Sequence, residues 1–268
     1  MNNTILSVKN LKKQYNHNTQ ALKGVSADFR EGEFVVVIGP SGAGKSTFLR
    51  CINRMTDATA GEVIFDGVHM EHLKGKKLRE QRSNIGMIFQ HYNLVGRVSV
   101  IKNVLHGRLG KIPLIKSLFG LYSFDEKDEA FSLISKVGLQ EQTYKRADTL
   151  SGGQMQRVGI CRAIVQNPRL LLADEPIASL DPRSAQIVMD QIKGITAEKK
   201  LTCIVNLHQV DFAKKYATRI IGIKDGLIVF DGAADELTDA ILADIYKGKE
   251  DQMKMKSAAP AEREAVYA

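Results

Sequence analysis

The apolar and polar positions follow two different periods along the chain. Val25, Ala27 and Phe29 alternate with Ser26 and Asp28, the period of a half-buried strand. Strands are predicted over residues 5–9 and 21–29. Val35, Val36, Val37 and Ile38 are continuously apolar, as in a strand buried on both faces of a parallel sheet. The predicted strand 34–38 runs into a glycine-rich turn and then a helix from about Ser46. Val63 to Phe65 with Asp66-Gly67 predicts another strand and its turn. From about Phe89 to Ile164 the character is helical. Ser123 and Glu126 form an S-x-x-E capping box. Ala130, Leu133, Ile134 and Val137 follow at helical spacing, and Gly138 stops the helix. Buried strands return at 170–173, 202–206 and 220–223. Asp225-Gly226 then predicts a hairpin into 227–230. Strands alternating with helices argue a parallel α/β sheet, and the middle block argues an inserted helical subdomain. No internal repeat is visible. From about Lys247 the chain is rich in Lys, Glu and Ala and aperiodic, which predicts a mobile tail. The expected organisation is one domain over 1–248, with a helical subdomain at about 90–164 and a tail at 249–268.

Composition narrows the function classes. The 268 residues suit one large domain with its own core. Cys51, Cys161 and Cys203 lie in apolar surroundings, with no CxxC pair and no histidine at ligand spacing. They read as buried thiols rather than a zinc site. The opening residues alternate instead of forming a secretory apolar block, and no apolar run approaches the ~18 residues of a membrane span. The expectation is a soluble cytoplasmic chain, with docking on a membrane protein left open. Lys and Arg number 38 against 30 Asp and Glu, a balance compatible with nucleic acid, an anionic membrane surface or a phosphate ligand. The basic residues are scattered, and the densest cluster, residues 74–82, is interrupted by Glu80. A solvated helix face is the favoured reading of it. With no Trp and 6% aromatic residues, stacking platforms for single strands are not suggested, and no nucleic-acid partner is expected.

Three short segments carry chemistry. Gly39-Pro40-Ser41-Gly42-Ala43-Gly44-Lys45-Ser46 matches G-x-x-x-x-G-K-[ST] between a predicted buried strand and a helix. Glycines let backbone N–H groups converge on an anion, and the helix N-terminus adds partial positive charge. Lys45 would reach the β- and γ-phosphates, and the Ser46 hydroxyl would ligate Mg²⁺. An ordinary glycine-rich turn is the competing reading. Leu170 to Ala173 end in Asp174 and Glu175, two carboxylates at the C-terminal edge of a predicted parallel strand. Asp174 suits metal contact, and Glu175 suits a base that polarises water. Alone, the pair reads equally as a solvated acidic turn. Leu150-Ser151-Gly152-Gly153-Gln154 opens a new helix with exposed N–H groups, a second anion site. One nucleotide has one γ-phosphate, so a second site suggests completion of a neighbour's site across a dimer. A plain Ser-capped helix start is the alternative.

In this order the three motifs resemble the nucleotide-binding subunits of ABC transporters, over about residues 5–232. The resemblance implies a P-loop NTPase of ABC type: a mainly parallel sheet core, an antiparallel N-terminal β part and an inserted helical subdomain. It implies ATP and Mg²⁺ as ligands, ATP being held by Tyr15 and by Gly39, Pro40, Ser41, Gly42, Ala43, Gly44, Lys45, Ser46 and Thr47. Gln90 resembles the glutamine that senses Mg²⁺ and the attacking water, alongside Ser46 and Asp174. Ser179 and Asp181 resemble the loop that contacts the opposite subunit. His208 resembles the switch histidine, catalytic with Glu175, and Ser151, Gly152, Gly153 and Gln154 contact the partner's ATP. Residues 50–54, 88–95, 105–110 and 205–211, with Gln209 after the switch histidine, look like phosphonate-import ATP-binding subunits. That likeness implies a homodimer, a separate membrane permease, an extracytoplasmic phosphonate-binding protein and a peripheral place on the cytoplasmic side of the cell membrane. Phosphate, phosphite or another small oxyanion is the alternative cargo, and a nucleic-acid-linked ABC ATPase a more distant one. Met155 and Cys161 depart from the family's commonest choices as apolar substitutions that packing tolerates. The apolar block 108–124 is either a surface for a permease's coupling helix or a packed loop and helix, the latter favoured because apolar stretches are usually core.

Overall fold

The computed structural model describes residues 3–16, 19–112 and 120–247. Among them two sheets lie on either side of the first helix. The antiparallel sheet contains β1 (Thr4–Asn16), β2 (Thr19–Arg30), β4 (Ala60–Phe65) and β5 (Val68–His69), in the order β2-β1-β4-β5. The larger sheet contains β3 (Phe34–Ile38), β6 (Ile85–Ile88), β7 (Leu170–Asp174), β8 (Thr202–Asn206), β9 (Arg219–Lys224) and β10 (Leu227–Gly232). Its order is β10-β9-β3-β8-β7-β6, with β10 alone antiparallel.

Alternation within the larger sheet divides the core. Val35 and Val37 of β3 face the antiparallel sheet and α1 (Lys45–Ile52), among Leu22, Phe29, Phe48 and Leu49. Phe34, Val36 and Ile38 face the helices on the other side. Those helices are α3 (Val100–Leu105), α4 (Phe124–Lys136), α5 (Gly152–Ile164), α6 (Pro182–Glu198), α7 (Val210–Tyr216) and α8 (Asp239–Tyr246). Both faces of β3, β7 and β8 are covered, so every residue in the three strands is buried. Their continuous apolar runs have that cause.

Several expectations hold in detail. Ser123 Oγ accepts from Glu126 N, and Glu126 Oε2 accepts from Ser123 N at 2.7 Å, closing the capping box. Gly138 leaves α4 at φ +70°. Asp225 and Gly226 both have positive φ, the conformation of a two-residue hairpin turn. Residues 74–82 hold α2 (Gly75–Arg82), which buries no side chain. Cys51, Cys161 and Cys203 are buried free thiols, and burial pushes Cys51 up to about 11 and Cys161 to about 12.

Other expectations are corrected. β1 continues past residue 9 because Asn10, at φ +46°, forms a bulge that resets the alternation and buries Leu11. Residues 89–99 are turns and loops, so helix begins only at Val100. The block 108–124 is not packed core where it is described. Phe124 is 83% exposed, Leu121 is also exposed, and Tyr122 packs partly against the core. Tyr122 and Phe124, with Ile101, Phe131 and Tyr144, line a cleft of about 910 Å³. Pro113 to Phe119, and the predicted tail 249–268, lie outside the described residues.

Ser123→Ala removes the acceptor that satisfies the Glu126 N–H at the start of α4. The expected cost is about 1 kcal/mol, read as a lower urea midpoint with unchanged slope.

Candidate functional site

Four parallel strands end side by side in the order β3, β8, β7, β6, and each delivers a polar group to the same edge. β3 feeds the loop 39–44, β8 ends at Asn206 with His208 beyond it, β7 ends at Asp174 with Glu175 next, and Gln90 follows β6. In a parallel sheet this edge is where ligands bind.

The loop 39–44 is held from two sides. Gly39 has φ +147°, and a Cβ there would lie 2.0 Å from the Ile223 carbonyl oxygen. Gly44 has φ +106°, and a Cβ there would lie 2.4 Å from the Ala21 carbonyl oxygen. The Gly226 N–H donates to the Ala43 carbonyl at 3.1 Å, and the Lys23 N–H donates to the Gly226 carbonyl at 2.9 Å. The β9–β10 turn therefore pins the loop against β2. Ser41 and Gly42 remain exposed at its tip, whereas Pro40 is half-buried and Ala43 and Gly44 are buried. Lys45 is only 4% exposed, and its ammonium donates to the Gly39 carbonyl at 2.8 Å and the Pro40 carbonyl at 3.1 Å. The lysine thus spans the same concavity that the glycines open. Tyr15 stands beside it, its hydroxyl 3.3 Å from Thr47 Oγ1 and its ring exposed.

Asp174 is 2% exposed and is the hub of the polar cluster. Ser46 Oγ donates to Asp174 Oδ1 at 2.7 Å, and Asn206 Nδ2 donates to the same oxygen at 3.0 Å. Arg50, one turn along α1 from Ser46, reaches Asp174 Oδ2 at 3.4 Å. Next to it, Glu175 has φ +51°, a left-handed conformation that costs a non-glycine residue about 1–2 kcal/mol. Such strain is kept where the surroundings dictate it. Here the backbone turn carries the carboxylate to His208, whose Nε2 lies 2.5 Å from Glu175 Oε1.

The remaining candidates form a second group. Ser151 caps α5: its hydroxyl accepts from Gln154 N at 3.4 Å, and Gln154 Oε1 accepts from Ser151 N at 2.9 Å. Gly152 and Gly153 are the first residues of that helix. A Cβ on Gly152 would lie 2.8 Å from the Tyr92 hydroxyl, and one on Gly153 would lie 3.3 Å from Ser184 of α6. Asp181 caps α6 by accepting from the Arg183 and Ser184 N–H groups, at 3.1 and 3.0 Å. Gln90, Tyr92, Met155 and exposed Ser179 share a cleft of about 450 Å³. No hydrogen bond joins Gln90 to Ser46, Asp174 or Glu175 among the described residues. Within one chain, therefore, Ser46, Asp174, Glu175 and His208 are connected, with Lys45 adjoining Ser46. Ser151 to Gln154, Ser179 and Asp181 gather elsewhere.

A model of the ABC transporter family matches residues 22–178. The chain belongs to the ABC transporter family. Among curated relatives, the phosphonates import ATP-binding protein PhnC 2 of Oceanobacillus iheyensis is 56% identical over 243 residues, which cover 91% of this chain and 96% of that one. The phosphonates import ATP-binding protein PhnC of Treponema denticola is 53% identical over 238 residues, covering 89% and 93%. Among solved structures, an ATP-binding cassette in a dimeric post-hydrolysis state bound to ADP and Pi is 34% identical. It matches with a TM-score of 0.74 over 85% of this chain and 98% of its own. The fold is accordingly that of an ABC cassette, and ATP is the nucleotide its family binds.

Two polar residues of the site went unassigned in the sequence. Asn206 is the last residue of the apolar run 202–206, and a fully buried Asn at a strand's polar edge was the available signal. Its Oδ1 is buried without a hydrogen-bond partner, beside the carboxylate that its amide serves. Arg50 entered only through the resemblance of residues 50–54, with no role of its own. Asn206→Ala strips a donor from a buried carboxylate and should cost about 1–3 kcal/mol. In an Asp174→Asn background the loss should shrink, giving a coupling of about 1 kcal/mol in a double-mutant cycle by urea denaturation.

Proposed function

We propose that this chain is the ATP-hydrolysing subunit of an ABC importer for phosphonates. The adjacency of the phosphate loop, Asp174, Glu175 and His208 at one sheet edge carries the hydrolytic part of the reading. Identity above 50% to phosphonates import ATP-binding proteins along most of their length supports the cargo. Residues 1–248 are assigned to the ATPase domain, with 90–164 as its helical subdomain.

Gly39, Pro40, Ser41, Gly42, Ala43, Gly44, Lys45, Ser46 and Thr47 hold the phosphates of ATP, and exposed Tyr15 stacks on the adenine. The Ser46 hydroxyl and Asp174 carboxylate, 2.7 Å apart, are the hard oxygen donors that Mg²⁺ takes, with Gln90 as a third group; the ion supplies charge neutralisation at the phosphates. Lys45 adds positive charge at the γ-phosphate. Glu175 accepts the proton of the attacking water, and His208 completes the site from the loop after β8. In-line displacement of the γ-phosphoryl group asks for this positioning and charge, and for little covalent chemistry.

Two copies pack head to tail. The Ser151-Gly152-Gly153-Gln154 turn of each addresses the γ-phosphate held by the other, with Ser179 and Asp181 at the subunit contact. Its neighbours within its own chain are Tyr92, Leu180 and Ser184 rather than the phosphate loop, which supports this division. ATP favours the closed dimer, and that differential affinity drives the movement. A separate permease, the partner that an ABC importer's ATPase subunit works with, carries the cargo; no described helix of this chain is long and apolar enough to cross a membrane. The cleft with exposed Phe124 and Tyr144 supports docking of that permease on the helical block. The chain works at the cytoplasmic face of the membrane, with an extracytoplasmic phosphonate-binding protein delivering the cargo.

Glu175→Gln should keep ATP binding and lose at least about 100-fold in phosphate release. Turnover equal to wild type would remove Glu175 as the base. Cells lacking this chain should regain uptake of labelled 2-aminoethylphosphonate with the wild-type chain and not with Glu175→Gln. Uptake that the deletion leaves intact, together with lost uptake of phosphate or phosphite, would reassign the cargo.

A further inference from the structure

Far along the antiparallel sheet from the phosphate loop, β5 and the single turn Met70–His72 carry His69, Glu71 and His72. Their ligand atoms lie within 4.8 Å of one another. His69 Nδ1 is 2.8 Å from Glu71 Oε1, and His72 Nε2 is 3.9 Å from the same oxygen. The two imidazole rings stack with centroids 5.6 Å apart. Both imidazoles thus converge on one carboxylate oxygen.

The backbone and the carboxylate are held independently of the histidines. Glu71 Oε2 accepts from the Val63 N–H at 3.2 Å, which turns Oε1 outward between the rings. Arg54 Nη1 donates to the carbonyls of Met70, Glu71 and Leu73, at 2.8, 3.3 and 2.7 Å. Its positive charge is matched by Asp57, 2.7 Å from Nη2. Met70, between the candidate ligands, is fully buried and anchors the turn. An outer group that orients a ligand is what distinguishes a prepared site from a chance cluster.

We infer that His69, Glu71 and His72 form a surface site for one divalent transition-metal ion of the zinc, nickel or copper class. Two imidazole nitrogens and one carboxylate oxygen are the donors such ions take, whereas magnesium and calcium prefer oxygen alone. Three protein ligands leave a fourth position open to water, as the exposure of His72 allows. Four-coordinate bonds of about 2.0–2.1 Å separate neighbouring ligand atoms by about 3.3 Å. The 2.8 Å pair opens by about 0.5 Å when the ion replaces the bridging proton, and the 3.9 Å pair closes by about 0.6 Å through rotation of the exposed His72 ring. The ion would tie a two-residue edge strand to the turn behind it and stabilise the folded chain by mass action.

The test is calorimetric titration of the full chain, without a histidine tag, with Zn²⁺. Wild type should bind one ion per chain saturably, and its Tm should rise by several degrees at excess zinc. His69→Ala/His72→Ala should lose at least about 30-fold in affinity and the Tm rise, and Glu71→Gln about 10-fold. His208→Ala should bind as wild type does. The exposed His72→Ala single variant tests the same point if the double variant loses its fold, as judged by circular dichroism. The inference is overturned if wild type shows no saturable zinc binding, or if the variants at 69 and 72 bind as tightly as wild type.

Discussion

Burying a charge costs several kcal/mol unless polar partners replace water, and this site buries two charges of opposite sign at one sheet edge. Lys45 and Asp174 are each under 5% exposed. The carbonyls of Gly39 and Pro40 serve the ammonium, and Ser46, Asn206 and Arg50 serve the carboxylate. These partners come from β3, α1 and β8, so the sheet order and the charge arrangement require each other. A shift of one strand by a single residue would remove Asn206 from Asp174, because register pairs those two residues directly.

The same requirement explains why the loop has so little conformational freedom. Convergence of backbone N–H groups on an anion needs a concave turn, and a concave turn is unstable unless its outer side is packed. Two carbonyl oxygens, of Ala21 and Ile223, supply that outer packing so closely that only glycine fits at 39 and 44. The glycines thus keep the inner side concave and let the two sheets close on the outer side.

Legibility in the sequence followed burial. β3, β7 and β8 are covered on both faces, so their uninterrupted apolar runs marked them as strands, and the glycine-rich loop after β3 and the carboxylates closing β7 marked the site. Where one face is open, the pattern was weaker. The bulge at Asn10 broke the alternation of β1 and hid its second half, and the four residues of β6, with Gly86 inside, made too short a run to read as a strand. Lys45, Ser46, Asp174 and Glu175 were legible because their chemistry is local in sequence. Asn206 and Arg50 were not, because their meaning lies in Asp174, which is 32 residues from Asn206 and 124 from Arg50 in the chain. The exposed Phe124 illustrates the reverse error: an apolar stretch reads as core, and only the fold reveals that it lines an open cleft.

The hydrogen bond from Gly226 to Ala43 has a consequence for biosynthesis. A growing chain emerges from the ribosome with its phosphate loop early and its β9–β10 turn late. Until that turn is released, the loop lacks one of the two walls that shape it, and β3 lacks β9 as a neighbour. Closure of such distant pairs is slow relative to local helix formation. An incomplete chain therefore carries the loop without part of the packing that shapes it, and a product ending before Gly226 would lack the link between the loop and β2.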